Sequence, residues 1–284
     1  MREFKSKVAV ITGAASGIGY GIAERCAREG MRIVLADIER GALTKAERNI
    51  KATGAEALAV RTDVSKAKDV EALSQKTLDA FGAVHLLFNN AGVGTGWTTW
   101  GSSLADWQWI LGVNLWGVIY GVHFFVPIML KQDTECHIVN TASVGGLLAI
   151  AGTAPYAVSK HGVVALSETL YRELARGGYK VGVSVLCPGL IKTNIVECSR
   201  NRPRELQNKP GEGMDTPDSG IQASRHRTKQ GVEKGMPPQQ LAEVVFDAIR
   251  ENKFYVLPGA DLFRPMIRAR LEDIAQERNP TAVP

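Results

Sequence analysis

Cysteine is scarce in this chain of 284 residues: Cys26, Cys136, Cys187 and Cys198 are the four. None pairs as C-x-x-C and no zinc-ligand spacing appears, which argues against a disulfide framework and against a metal site. Cys26 and Cys187 lie inside apolar segments, where a thiol usually serves as a small hydrophobe. That usage predicts a reducing, cytoplasmic compartment. A basic cluster is also lacking. The formal net charge is +5, yet the richest basic stretch, 200–234, also holds Glu205, Glu212, Asp215, Asp218 and Glu233. Nucleic-acid binding needs basic residues gathered on one face, so a solvated surface of mixed charge is the better reading. Residues 1–7 are charged and lead into a short apolar run without a cleavage pattern, which predicts no signal peptide.

Charge is missing from two stretches, 107–130 and 136–153. The first is long enough to span a bilayer. It contains Gln108, Asn114, His123, Pro127 and three glycines, Gly112, Gly117 and Gly121, and reads better as a buried or subunit-facing helix. With 45% hydrophobic and 22% charged residues the chain has the composition of an ordinary soluble domain.

What is present is alternation. Short apolar runs at 8–12, 32–37, 57–63, 85–89, 137–141 and 181–186 read as strands. Helical patterns lie between them at 17–29, 41–52, 66–81, within 104–131, and at 156–176. Gly30, Gly54 and Gly82 stop the first three helices. Near-continuous apolar strands fit a parallel sheet covered on both faces, and the β-α order predicts a doubly wound α/β fold, Rossmann-like, in one domain. Composition shifts at about residue 195. From there to 236 the chain is rich in Pro, Gly, Arg, Gln and Ser, which predicts a lid too poor in large apolar side chains to form its own core. Helix returns at 237–252, a short strand at 254–257 and a helix at 262–276.

The turn after the first strand reads Thr12-Gly13-Ala14-Ala15-Ser16-Gly17-Ile18-Gly19. Its glycines allow a tight turn and close approach of backbone to a pyrophosphate, and the following helix offers free N–H groups to an anion. The spacing is not the usual G-x-G-x-x-G, and glycine here could serve geometry alone. Asp37 ends the second strand, where a carboxylate accepts bonds from ribose hydroxyls and repels a 2′-phosphate. It could equally cap a helix. Tyr156 and Lys160 stand one helical turn apart on one face; a nearby ammonium favours the phenolate and lowers the tyrosine pKa. Ser143 follows the fifth strand, either as a turn residue or as a group holding a substrate oxygen. Asn114, polar in an apolar helix, needs a partner: backbone, or a water linked to Lys160.

The order and spacing of these motifs resemble the short-chain dehydrogenase/reductase family to about residue 257: the glycine turn, Asp63-Val64, Asn89-Asn90-Ala91-Gly92, Asn114, Ser143, Tyr156 with Lys160, then Pro188-Gly189 with Thr193. The resemblance implies an NAD-binding oxidoreductase domain over 1–257 with a substrate lid at about 195–236, followed by a C-terminal helix and tail at 258–284. Gly13, Ser16, Gly17, Ile18 and Gly19 match the cofactor turn. Asp63 and Val64 match the pair at the adenine, and Asn90, Ala91 and Gly92 the segment lining the cofactor. Tyr156 matches the acid/base and Lys160 the residue that lowers its pKa and holds the nicotinamide ribose. Ser143 matches the group polarising the substrate oxygen and Asn114 the anchor of a proton-relay water. Pro188, Gly189, Ile191 and Thr193 match the segment that places the carboxamide. A homo-oligomer, tetramer or dimer, is implied through the 107–130 and 157–174 helices. The expected reaction is hydride transfer between NAD(H) and a bulky, mostly apolar secondary alcohol or its ketone, with Trp97, Trp100, Leu147, Leu148 and Ile150 as apolar walls. Alternatives are an NADPH-dependent 3-oxoacyl thioester reductase and a non-catalytic dinucleotide sensor.

Overall fold

Each short apolar run folds as a strand: β1 (Val8–Thr12), β2 (Arg32–Asp37), β3 (Ala57–Arg61), β4 (Leu86–Asn89), β5 (Cys136–Thr141) and β6 (Val181–Leu186). With β7 (Tyr255–Val256) they form one parallel sheet in the order β3-β2-β1-β4-β5-β6-β7. This is a computed structural model, and it describes residues 1–94, 98–209, 212 and 219–281. β1, β4 and β5 are buried throughout, which is why their sequences show no alternation.

Helices α1 (Gly17–Arg28), α2 (Arg40–Lys51), α3 (Ala67–Phe81) and α6 (Ala154–Arg176) connect the strands, with α8 (Pro238–Arg250) and α9 (Arg264–Ala275) near the end. One face of the sheet packs with α1 and α8 through Ile22, Leu35, Phe88, Phe246 and Ile249. The other packs with α3 and α5 (Gly117–Gln132) through Leu73, Phe125, Met129 and Val183. The doubly wound architecture therefore stands as expected. β1 bonds β2 on one side and β4 on the other, so the strand order reverses there and a crevice opens at the strands' C-terminal ends.

Two elements differ from the sequence expectation. The helix read within 104–131 is α4 (Leu104–Leu111), a π-helical segment (Gly112–Trp116) and then α5. Leu104–Gln132 is long and apolar enough to cross a membrane by length and composition, but here it packs on α3 and β4, burying Val118, Phe125 and Met129. The second difference is the lid. Its first part forms 3-10 turns at Ile195–Asn201 and Arg204–Leu206, and its last part is a helix, α7 (Ser219–Glu233). Trp97 and Met214 lie outside the described residues.

The 3-10 strap is held by a polar network at the start of α4. Ser103 caps that helix by accepting from the Asp106 amide at 3.0 Å, and Asp106 Oδ2 accepts from the Ser103 amide at 3.0 Å. The other Asp106 oxygen takes Arg202 Nη1 at 2.6 Å; Asp106 is fully buried and the Arg202 side chain is 11% exposed. Arg202 also donates to the Leu206 carbonyl and to Asn208 Oδ1, and stacks on Trp109. Removing one partner of such a pair strands a buried charge. Arg202→Ala is expected to cost about 3 kcal/mol in urea unfolding and to raise amide exchange across 195–209 while the sheet stays protected. A wild-type midpoint with unchanged exchange would show that the strap is held by something else.

Candidate active site

The crevice begins where β1 ends. Thr12 Oγ1 accepts from the amides of Asn90 (2.9 Å) and Ala91 (3.1 Å), and Asn90 Nδ2 donates to the Thr12 carbonyl at 3.0 Å. These bonds lock the loop after β4 against the turn after β1. Gly13 has φ +66° and Gly17 φ +55°, left-handed values that disfavour any side chain. A Cβ on Gly19 would stand 2.2 Å from the Gly13 carbonyl oxygen, so α1 starts closer to the turn than an alanine allows. Ser16 begins α1 with an extended backbone and no side-chain cap. Gly13, Ser16, Gly17 and Ile18 line a cavity of about 1100 Å³; Gly19 sits behind them. These features fit a dinucleotide, whose pyrophosphate would meet the uncapped N-terminus of α1.

Asp37 serves the turn and the next helix at once. Its Oδ2 accepts from the Ala15 amide and its Oδ1 from the Glu39 amide, each at 3.0 Å. Burial raises its pKa and the backbone bonds only partly oppose that. Asp63 and Val64 line the same end, with Asp63 Oδ1 held by the Ser65 amide (3.0 Å) and hydroxyl (2.7 Å). Asn90, Ala91 and Gly92 continue the wall, followed by Pro188, Gly189, Ile191 and Thr193. Thr193 reaches back to the glycine turn: a Cβ on Gly17 would lie 3.1 Å from its Cγ2.

Ser143, Tyr156 and Lys160 share one wall. Ser143 leaves β5 in extended conformation and its Oγ accepts from the Gly145 amide at 3.1 Å. Tyr156 enters on the first turn of α6, which opens with Pro155. Lys160 is buried, donates to the Thr141 carbonyl at 2.8 Å, and has its Nζ 5.8 Å from the Tyr156 ring centroid. Burial pulls the Lys160 pKa down to about 8. Burial likewise pushes the Tyr156 hydroxyl above its ordinary value, and a hydrogen bond from Ser143 works against that shift. Lys160 is not among the groups that move the Tyr156 pKa here: desolvation raises it, and the Ser143 bond opposes the rise.

Asn114 lies in the π-helical segment, fully buried and outside the cavity wall. Its Oδ1 accepts from the Val93 amide at 2.8 Å, and its Nδ2 donates to the Val93 carbonyl at 2.9 Å and to Ser159 Oγ at 3.2 Å. The backbone partner is thus the one observed. A Cβ on Gly92 would be 3.6 Å from both Asn114 Oδ1 and Lys160 Nζ, so the two polar groups flank one small space beside Gly92.

Several residues escaped the sequence reading. Arg200 and Asn201 cross from the strap to Glu39, donating to its Oε1 at 2.6 and 2.7 Å. Burial would raise the Glu39 pKa, but these bonds prevail and lower it. A cation therefore does stand at the rim next to Asp37, committed to Glu39. No local signal marks a pair 161 positions apart. The expected walls also change. Trp100 is 89% exposed and Leu148 fully buried in the core. Ile150 lines the cavity as expected, and Trp109, Ile195, Val196 and Leu206 supply the other apolar surface. From α7, Gln222, His226, Lys229 and Val232 face inward.

Known proteins give the same picture. The family described as short chain dehydrogenase matches residues 7–204. A short-chain dehydrogenase/reductase from Burkholderia phymatum, solved in complex with NAD, superposes with a TM-score of 0.94 at 46% identity, covering 100% of this chain and 99% of that one. A CLA biosynthesis dehydrogenase/reductase of Lactiplantibacillus plantarum is 33% identical over 99% of this chain and 97% of its own length. A cyclohexanol dehydrogenase of an Acinetobacter species is 37% identical over 68% of this chain and 76% of its own.

Proposed function

Because this chain belongs to the short-chain dehydrogenase/reductase family, whose members are oxidoreductases, we propose that it moves a hydride between NAD(H) and the carbinol carbon of a bulky secondary alcohol or its ketone. The observation that carries this is the convergence of Ser143, Tyr156 and Lys160 on one wall of the cavity that also holds the glycine turn. The nicotinamide, when bound, supplies the hydride chemistry. In alcohol oxidation Tyr156 takes the hydroxyl proton as general base, helped by the Ser143 bond that favours its ionised form. Ser143 has one hydroxyl proton, which serves Tyr156 in the free site and turns to the substrate oxygen once the alcohol is seated. Lys160, on the next turn of α6, holds the nicotinamide ribose and passes the proton through the space beside Gly92 that Asn114 flanks. Asn114 acts there as an anchor for a relay water.

NAD rather than NADP is favoured by Asp37, and by Glu39, which occupies the rim's arginine. This is also the argument against the NADPH-dependent thioester reductase. The complete set of Ser143, Tyr156 and Lys160 argues against a non-catalytic sensor. A bulky alcohol suits a cavity with room for more than a dinucleotide, and the relative named cyclohexanol dehydrogenase points the same way. Exposed Trp116 on the π-helical segment and Val158 and Tyr171 on α6 support a homo-oligomer, read as a tetramer. Four free cysteines suit a cytoplasmic protein.

Three outcomes test this reading. Tyr156→Phe is expected to lower turnover at least about a hundredfold while NAD still binds by fluorescence titration; near-wild-type turnover overturns the assignment. Catalytic efficiency with NAD should exceed that with NADP, and Asp37→Ala should narrow the gap; equal use of both cofactors by the wild type refutes the cofactor reading. Ser143→Ala removes the bond that lowers the Tyr156 pKa. The rising limb of kcat/KM for alcohol oxidation should therefore move to higher pH, with turnover at neutral pH down about a hundredfold. A limb that stays in place would show that Ser143 does not tune the tyrosine.

A further inference from the structure

The charges on the cavity wall are divided by position. Its carboxylates are Asp37, Glu39 and Asp63, all at the ends of β2 and β3, the adenosine end of the proposed cofactor. No Asp or Glu lines the cavity from α6, from the 190s strap or from α7 among the described residues. The wall's cations have different commitments. Lys160 donates to the Thr141 carbonyl and Arg200 to Glu39. Lys66 stands beside Asp63 at the adenosine end. Lys229 lines the cavity from α7, with no ion-pair partner among the described residues.

α7 presents a patterned face there. Gln222, His226 and Lys229 follow the i, i+4, i+7 spacing that puts side chains on one side of a helix. His226 pairs with Gln230 at 2.8 Å, which orients its ring. The helix is set in place at its C-terminal end: Val232 is buried, and a Cβ on Gly231 would lie 2.5 Å from Leu190 Cδ1. Leu190 directly follows Pro188-Gly189, so the end of α7 lies against the segment proposed to place the nicotinamide. Lys229 is one turn back, about 5 Å along the axis, and lines the same cavity as Tyr156. Beside the apolar walls, the cavity therefore carries donors and a positive charge from α7.

We infer that the substrate of this site is an apolar secondary alcohol, or ketone, bearing a carboxylate remote from the reacting carbon, and that Lys229 with His226 on α7 binds that carboxylate. The inference rests on the dehydrogenase reading above and specifies its substrate class. A single lysine beside the Gln222 and His226 side chains matches one negative charge better than a phosphoryl group, which carries nearly two. The carbinol sits at Ser143 and Tyr156, the apolar scaffold spans Ile150, Trp109 and Leu206, and the carboxylate meets α7. Lys229 is solvent-exposed, so its attraction is screened by salt. The competing anion in the same cavity would be the cofactor's pyrophosphate, and the test separates the two.

The experiment measures NADH formation by the full-length protein from paired probes: 4-(1-hydroxyethyl)benzoate and 4-hydroxycyclohexanecarboxylate, each against its methyl ester, with 1-phenylethanol as the uncharged reference. The acids are expected to exceed their esters about tenfold in kcat/KM, mainly through KM, and the ratio should shrink as salt rises. Lys229→Gln should lower the acid-to-ester ratio about tenfold, and Lys229→Arg should restore it. Esters and acids used equally by the wild type would overturn the inference while leaving the dehydrogenase reading intact. So would a Lys229→Gln variant that raises the KM for NAD with the acid-to-ester ratio unchanged, because the lysine would then serve the pyrophosphate. No NADH from any probe would instead count against the dehydrogenase reading on which the inference stands.

Discussion

The bond set around Thr12 is the constraint on which the site depends. A parallel sheet whose order reverses between β1 and β4 must splay its connections to opposite faces, leaving a gap above the two central strands. Left alone, the loops bordering such a gap would be mobile. Here one hydroxyl accepts two amides of the neighbouring loop, and Asn90 returns a bond to the Thr12 carbonyl. Asp37 ties the same turn to the start of α2 from the other side. The glycine turn is thus held rigid by groups below it, and its upper surface is left to a ligand. Preorganisation of this kind removes the cost of ordering the loop when the ligand arrives.

The wall formed by Ser143, Tyr156 and Lys160 follows a different logic, in which burial sets the electrostatics. Desolvation disfavours the charged form of both Tyr156 and Lys160, raising the tyrosine pKa and lowering that of the lysine, so two values that lie close together in water move apart. Burial thus favours the neutral form of each group, and the Ser143 bond is what works against that preference at the tyrosine. Ser143 has the decisive position because its hydroxyl touches Tyr156 and its backbone begins the turn that leads to the substrate side. Asn114 contributes through geometry: by holding both backbone groups of Val93 and the hydroxyl of Ser159 it fixes the spacing between the loop after β4 and α6. A π-helical segment is the means by which an otherwise apolar helix turns that amide inward.

The sheet and the motifs were legible in the sequence because their signals are local. β1, β2 and β6 have the boundaries that apolar runs and glycine stops imply, and every proposed contact in the glycine turn lies within one short stretch. Burial in the middle of a parallel sheet leaves an unbroken apolar run that nothing else in a soluble chain imitates so well. The π-helical insertion was not legible, since hydrophobic periodicity barely changes over five residues. The direction of the Tyr156 shift was not legible either: Y-x-x-x-K spacing gives proximity, whereas the sign depends on how much water both groups lose. Trp100 shows the same limit, an aromatic in the right loop that points outward.

The lid is where sequence reasoning and structure part most instructively. Composition predicted a segment without a core, and its described residues form none of their own; instead they borrow stability from two distant places. Arg202 enters the buried network at the start of α4, and Cys198 packs with Val93, Trp109 and Ile110 while bonding the Gly94 backbone. Arg200 and Asn201 meet Glu39 at the far rim. The two attachments differ in kind. The Asp106–Arg202 pair is shielded from solvent, and breaking it strands a charge; the Glu39–Arg200 pair is open to solvent at its arginine and half-buried at its carboxylate, and pairs reached by water contribute less. The strap is thus held strongly by its Asp106 contact and weakly by its Glu39 contact, so the contact on the Asp37 side of the cavity is the one that costs less to break.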